Sequence, residues 1–70
     1  MNTRRSSKPW RLVIAGNDYP QRSEAATQDA VAEHKATTQA NRIIVEKWNA
    51  GCWDEWLRWT RDSNGTWKAE

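Results

Sequence analysis

Apolar residues fall in short, separated runs along this chain. The first, Trp10 to Ala15 (WRLVIA), is dense in β-branched and aromatic residues and follows Pro9, where a strand can begin. Alternation puts Trp10, Leu12 and Ile14 on one face and Arg11, Val13 and Ala15 on the other. Only Arg11 is polar, so both faces are partly covered, as in an interior strand. Gly16-Asn17-Asp18-Tyr19-Pro20 reads as a turn. A helix is predicted from about Ser23 to Gln39. Ser23 serves as N-cap, and Glu24 and Asp29 lie toward the positive end of the helix dipole. Its apolar stripe is thin: Ala26, Ala30, Ala36 and Ala40, with Val31 to one side. Such a helix buries little area and depends on larger groups opposite it.

Asn41 ends the helix in this reading, and Arg42 to Trp48 (RIIVEKW) is a second strand. Asn49-Ala50-Gly51 is a short turn, and Cys52 to Thr60 is a third strand. A rival pattern exists there, because Trp53, Trp56, Leu57 and Thr60 also fit a helical stripe. Trp53, Leu57 and Trp59 fit strand alternation, broken only by Glu55. The strand is favoured because Asp62-Ser63-Asn64-Gly65 is hairpin chemistry, returning the chain as Thr66 to Ala69. That hairpin brings Trp59 near Trp67. The fold class expected is α+β in two layers, ordered β-α-β-β-β. One helix packs on a mainly antiparallel four-stranded sheet. Residues 1–8 form a disordered basic N-terminal arm, and residues 9–70 form one small domain. The sheet face away from the helix has no cover.

Composition sharpens that point. Six of the 70 residues are tryptophan, five of them after position 47, and there is no Phe. Each indole can bury roughly 150–250 Å², and a chain this short has little interior to receive them all. Some indoles are therefore expected at a surface that meets a partner. Cys52 is the only cysteine, so no disulfide forms within the chain, and a lone thiol fits a reducing, cytoplasmic setting. With one His as well, a structural zinc site has too few ligands. No apolar run is long enough to span a bilayer, and no membrane contact is expected.

Charge is uneven. Arg4, Arg5, Lys8 and Arg11 precede any acid, whereas the remaining 59 residues carry 7 basic and 9 acidic groups. A basic arm on a slightly acidic body is not the usual footprint of a nucleic-acid-binding face. Those four cations are nevertheless the candidate phosphate contacts.

Candidate chemistry is sparse. A nucleophilic pair needs Cys52 and His34 to be adjacent with an orienting third group, and nothing in their spacing provides this. Asp54 and Glu55 point to opposite faces of a strand, which is wrong for paired acid–base work. They are expected to be solvated or paired with Lys47 and Arg58. Asn64-Gly65-Thr66 matches a glycosylation acceptor, but the turn accounts for all three residues. There is no phosphate loop, dinucleotide fingerprint or metal spacing. No enzyme activity, cofactor or metal is expected.

The expected function is that of a small non-catalytic interaction module. It binds a protein partner, or itself as a homodimer, through an exposed Trp/Arg sheet face. Trp53 and Trp59 are expected on one side of their strand and Trp56 on the other. The candidate patch is Trp56 with Arg58 and Thr60, joined by Trp48. The alternative is a small nucleic-acid binder, in which the basic arm meets phosphates and indoles stack on bases. The Trp59-to-Trp67 ending, W-x-R-D-x-N-G-T-W, is similar to small proteins of high-GC actinobacteria and their phages. The likeness implies no activity and assigns no functional residue.

Overall fold

The computed structural model describes residues 8–70. Its strands are β1 (Trp10–Ile14), β2 (Asn17–Gln21), β3 (Arg42–Asn49), β4 (Cys52–Arg61) and β5 (Trp67–Ala69). One helix, α1 (Glu24–Thr37), lies between β2 and β3 in the chain. The sheet is antiparallel throughout, in the order β2-β1-β3-β4-β5. The fold is α+β as expected, but the sheet has five strands, not four, and the element order is β-β-α-β-β-β.

The extra strand is the segment expected to be a turn. Asn17 to Gln21 pairs along all of β1, from Ile14↔Asn17 to Trp10↔Gln21. The reversal needs only Ala15 and Gly16, both at positive φ (53° and 82°), the geometry of a tight hairpin turn. Pro20 is tolerated because β2 is an edge strand. The β3–β4 hairpin repeats this design with Ala50 and Gly51 at φ 52° and 94°.

Helix α1 starts where the cap predicts. Ser23 Oγ accepts from the Ala26 amide at 3.0 Å, and Thr27 Oγ1 donates to the Ser23 carbonyl at 2.7 Å. The helix ends at Thr37, ahead of the expected Gln39, because Thr38 turns extended (ψ 146°). Its packing stripe also differs. Thr27 and Val31 are the buried residues, Ala30 packs beside them, and Ala36 is exposed. Thr27 is admitted because its hydroxyl is already satisfied within the helix. The core comprises Trp10, Leu12, Ile14, Val31, Ile43 and Val45, with Leu12 and Ile43 fully enclosed. Alternation along β1 is as expected, with Trp10, Leu12 and Ile14 turned toward the helix.

The register of β4 contains one break. Val45 pairs with Leu57, but Glu46 pairs with Glu55, so Trp56 is the extra residue of a β-bulge. Below the bulge, Trp53 opposes Trp48; above it, Leu57 and Trp59 oppose the core residues Val45 and Ile43. The bulge reverses the facing of everything before it. Trp53 and Trp59 therefore lie on opposite faces, contrary to the simple alternation. Beyond β4 the hairpin is as expected: Arg61 pairs with Trp67, placing Trp59 and Trp67 on the same face.

Helix α1 lies over β1 and β2. The same layer over β3 and β4 is only partly filled, and the opposite sheet face is uncovered by any described element. No helix among the described residues is long and apolar enough to cross a membrane.

Candidate functional site

The uncovered sheet face is built by side chains that alternate with the core. From β1 come Arg11 and Val13, from β3 Arg42, Ile44, Glu46 and Trp48, and from β4 Trp53, Glu55, Arg58 and Thr60. Trp48 and Trp53 are directly opposed, with ring centroids 5.3 Å apart at 70°. This edge-to-face arrangement is favourable for two indoles. The Arg11 guanidinium lies 4.2 Å from the centre of the Trp53 ring. It is fixed there by Glu46, whose Oε1 accepts from Nε at 2.6 Å, and more loosely by Asp18 at 3.4 Å. Both Arg11 and Glu46 are about four-fifths buried at the side chain, so the pair is sheltered from solvent screening.

Glu46 and Glu55 face each other across the ladder, a repulsive pairing on its own. Each is neutralised by a different arginine: Glu46 by Arg11, and Glu55 by Arg58 at 2.8 Å. The hydrogen bond that Arg58 donates to Glu55, and the charge of that carboxylate, raise Arg58 above its ordinary range. Arg58 Nε is enclosed without a hydrogen-bond partner among the described residues. Thr60 Oγ1 donates to Glu70 at 3.0 Å.

Three of the four residues expected to form the patch, Trp48, Arg58 and Thr60, thus share this face. Trp56 does not join them. The bulge turns it toward the helix side, where it meets Trp10 edge-on at 5.2 Å and 85°. It is 54% exposed, the one large apolar side chain so open among the described residues. Arg4 and Arg5 lie outside the described residues, and Lys8 is exposed. Arg11, expected on the first strand and as a candidate phosphate contact, lies on β1 with its guanidinium held between two carboxylates.

On the helix side, Trp10, Trp56 and Trp59 line a cleft of about 320 Å³ between α1 and β4. Lys35 Nζ lies 3.0 Å from the centre of the Trp59 ring. Burial lowers the Lys35 ammonium from its ordinary range. Lys47 Nζ sits 5.3 Å and 5.6 Å from the Trp10 and Trp56 rings. Trp67 Nε1 donates to the Lys35 carbonyl at 3.3 Å, and the Arg61 guanidinium lies 4.9 Å from the Trp67 ring.

Other candidates gather no chemistry. His34 packs against Tyr19 with the rings tilted by 51° and their centres 4.6 Å apart, whereas Cys52 opens β4 beside the Asn49 carbonyl. Asp54 and Glu55 take opposite faces, with Glu55 bonded to Arg58 and Asp54 to Asn49. Among the described residues no cluster of His, Cys, Asp or Glu is suited to a metal ion.

Among the uncovered-face residues outside the expected patch are the indole Trp53 and the cation on it, Arg11. For Trp53 the sequence carries a signal: Glu55 interrupts an otherwise apolar alternation of Trp53, Leu57 and Trp59, and the interruption marks the bulge at the next residue, Trp56. Comparison with family models, with curated proteins and with solved structures finds no match.

Proposed function

We propose that this chain is a non-catalytic module that binds protein through its uncovered sheet face, with a second copy of itself as the first partner. The carrying observation is the Trp48–Trp53 pair with Arg11 stacked on it, on a face that no described element covers. Indoles beside arginine are the residue types that dominate protein interfaces. The face also carries charge of both signs. Arg11, Arg42, Arg58 and Lys68 are matched by Asp18, Glu46, Glu55 and Glu70. A two-fold interface brings one patch against itself, so a mixture of both charges is self-compatible where a single sign is repulsive. The same balance disfavours a polyanion, which needs a net positive surface.

Dilution of isotopically labelled protein, followed by NMR, tests this reading. Concentration-dependent shifts are expected at the indole N–H groups of Trp48 and Trp53 and along β3 and β4. Shifts that appear only on adding an oligonucleotide, and vanish as salt is raised, favour the phosphate-binding alternative instead.

A further inference from the structure

We infer that the helix-side cleft is a binding site for a small aromatic carboxylate. It is separate from the sheet face proposed for protein binding. The cleft falls in the size range of small-molecule sites and has their usual lining, apolar walls with few polar groups. Its sheet wall is Trp10, Val45, Trp56, Leu57 and Trp59, and its helix wall runs from Glu24 past Val31 to Lys35. Indole walls favour a flat aromatic body, which gains from offset or edge-on stacking. Trp56 remains 54% exposed at this wall, although it is already in contact with Trp10. A ring inserted beside it covers that surface.

The charge of the ligand follows from the two ends of the cleft. Lys35 contributes an ammonium that rests on Trp59 and has no carboxylate partner among the described residues. The acid of the cleft, Glu24, stands eleven residues earlier on the same helix, about 16 Å away along its axis. Glu24 is also engaged by Gln28 Nε2 at 3.3 Å. An anion at the Lys35 end thus meets a cation without a nearby competing carboxylate. Lys47, near Trp10 and Trp56, stands opposite Asp54 across the ladder, so the cation that sets the charge of the cleft is Lys35. A cationic ligand is disfavoured by Lys35.

The test uses three probes of one shape: 2-naphthoate, neutral 2-naphthamide and a 2-naphthyl trimethylammonium salt. Binding to the full chain is read by tryptophan fluorescence and calorimetry. Naphthoate is expected to saturate and to bind about tenfold more tightly than the amide, the weight of one ion pair in a partly dry site. The cationic probe is expected to be weakest. Lys35→Met keeps the apolar stem and should erase the preference for acid over amide. Trp56→Ala should weaken both by about fivefold or more. Trp53→Ala, on the opposite face, should leave naphthoate binding unchanged whether or not it disrupts association. Equal affinity for acid and amide, no saturation, or no effect of Trp56→Ala overturns the inference. Should Lys35→Met fail to fold, the wild-type ranking of the three probes still decides it.

Discussion

Arg61 Nη2 donates to the carbonyl of Ala40 at 2.8 Å, tying β4 to the chain that leaves α1. The same guanidinium reaches the Thr38 carbonyl at 3.3 Å and Asn41 Oδ1 at 3.1 Å. One planar fork therefore serves the carbonyls left open beyond the helix end, which lack partners within the helix itself. Arg61→Met is expected to destabilise the fold by about 2 kcal/mol, because these part-buried acceptors lose a charged donor. Arg61→Lys should recover little, since a single ammonium cannot span three acceptors. Urea unfolding followed by fluorescence checks both. An Arg61→Lys protein as stable as wild type contradicts the role given to the fork.

The two tight hairpins place alanine where a left-handed backbone is needed. Ala15 and Ala50 have φ of 53° and 52°. Such a conformation costs an L-residue roughly 1–2 kcal/mol, and asparagine tolerates it better. Ala50→Asn creates Asn-Gly at the β3–β4 turn, the sequence most suited to that geometry. It should stabilise the protein by about 0.5–1 kcal/mol, raising the thermal midpoint. A neutral or lowered midpoint shows that the turn does not carry this strain.

Deletion of Trp56 is expected to be tolerated. The bulge residue has no partner on β3, and its removal brings Glu55 and Leu57 next to each other opposite Glu46 and Val45. Every other pairing and facing on β4 is preserved. Deletion of Arg58, by contrast, shifts one arm of the strand by a residue and turns its core side chains outward. Circular dichroism and amide NMR spectra should show a native-like sheet for the first deletion and loss of structure for the second. The reverse outcome contradicts the assigned register.

Much of this arrangement is legible in the residues, and the exceptions have physical causes. Trp10, Leu12 and Ile14 alternate cleanly with Arg11 and Val13, so the facing of β1 follows directly. Ser23 and the Asp62–Gly65 segment mark real chain reversals or helix starts. β2 was hidden because Asn17, Asp18 and Pro20 are turn-forming types, and an edge strand accepts them when a partner supplies the hydrogen bonds. Strict alternation puts Trp56 with Arg58 and Thr60, because a period of two has no room for an extra residue. The bulge adds one, and its only local trace is Glu55 in an apolar series. The alanines of α1 suggested the buried stripe, yet Thr27 and Val31 fill it, because a threonine that bonds backward loses its polarity penalty.

Stability should rise with pH in two separate windows. Hydrogen bonds from the Thr66 and Asn64 amides, helped by Lys68, hold the Asp62 carboxyl below its ordinary 3.8. The unfolded chain then binds the proton more readily, so this contribution is present above 3.8 and is lost as pH falls through the lower folded value. Lys35 is also lowered, from 10.5, by burial. Its unfolded form holds the proton longer, so stability rises as pH climbs through the window below 10.5. Asp62→Asn should flatten the acid slope and Lys35→Met the alkaline one, as read from urea midpoints across pH. Unchanged slopes in these variants rule out the two groups as the source.

The proposal that the uncovered face binds a second copy is tested most directly by mass in solution. Light scattering is measured over rising concentration for the wild type, Trp53→Ala and Trp56→Ala. The wild type should approach the mass of a dimer, twice 8.2 kDa. Trp53→Ala should dissociate more readily by about tenfold or more, the effect of removing an interface anchor. Trp56→Ala, on the helix side, should associate as the wild type does. A wild type that stays monomeric throughout, or a dimer lost in Trp56→Ala and kept in Trp53→Ala, contradicts the assignment of this face.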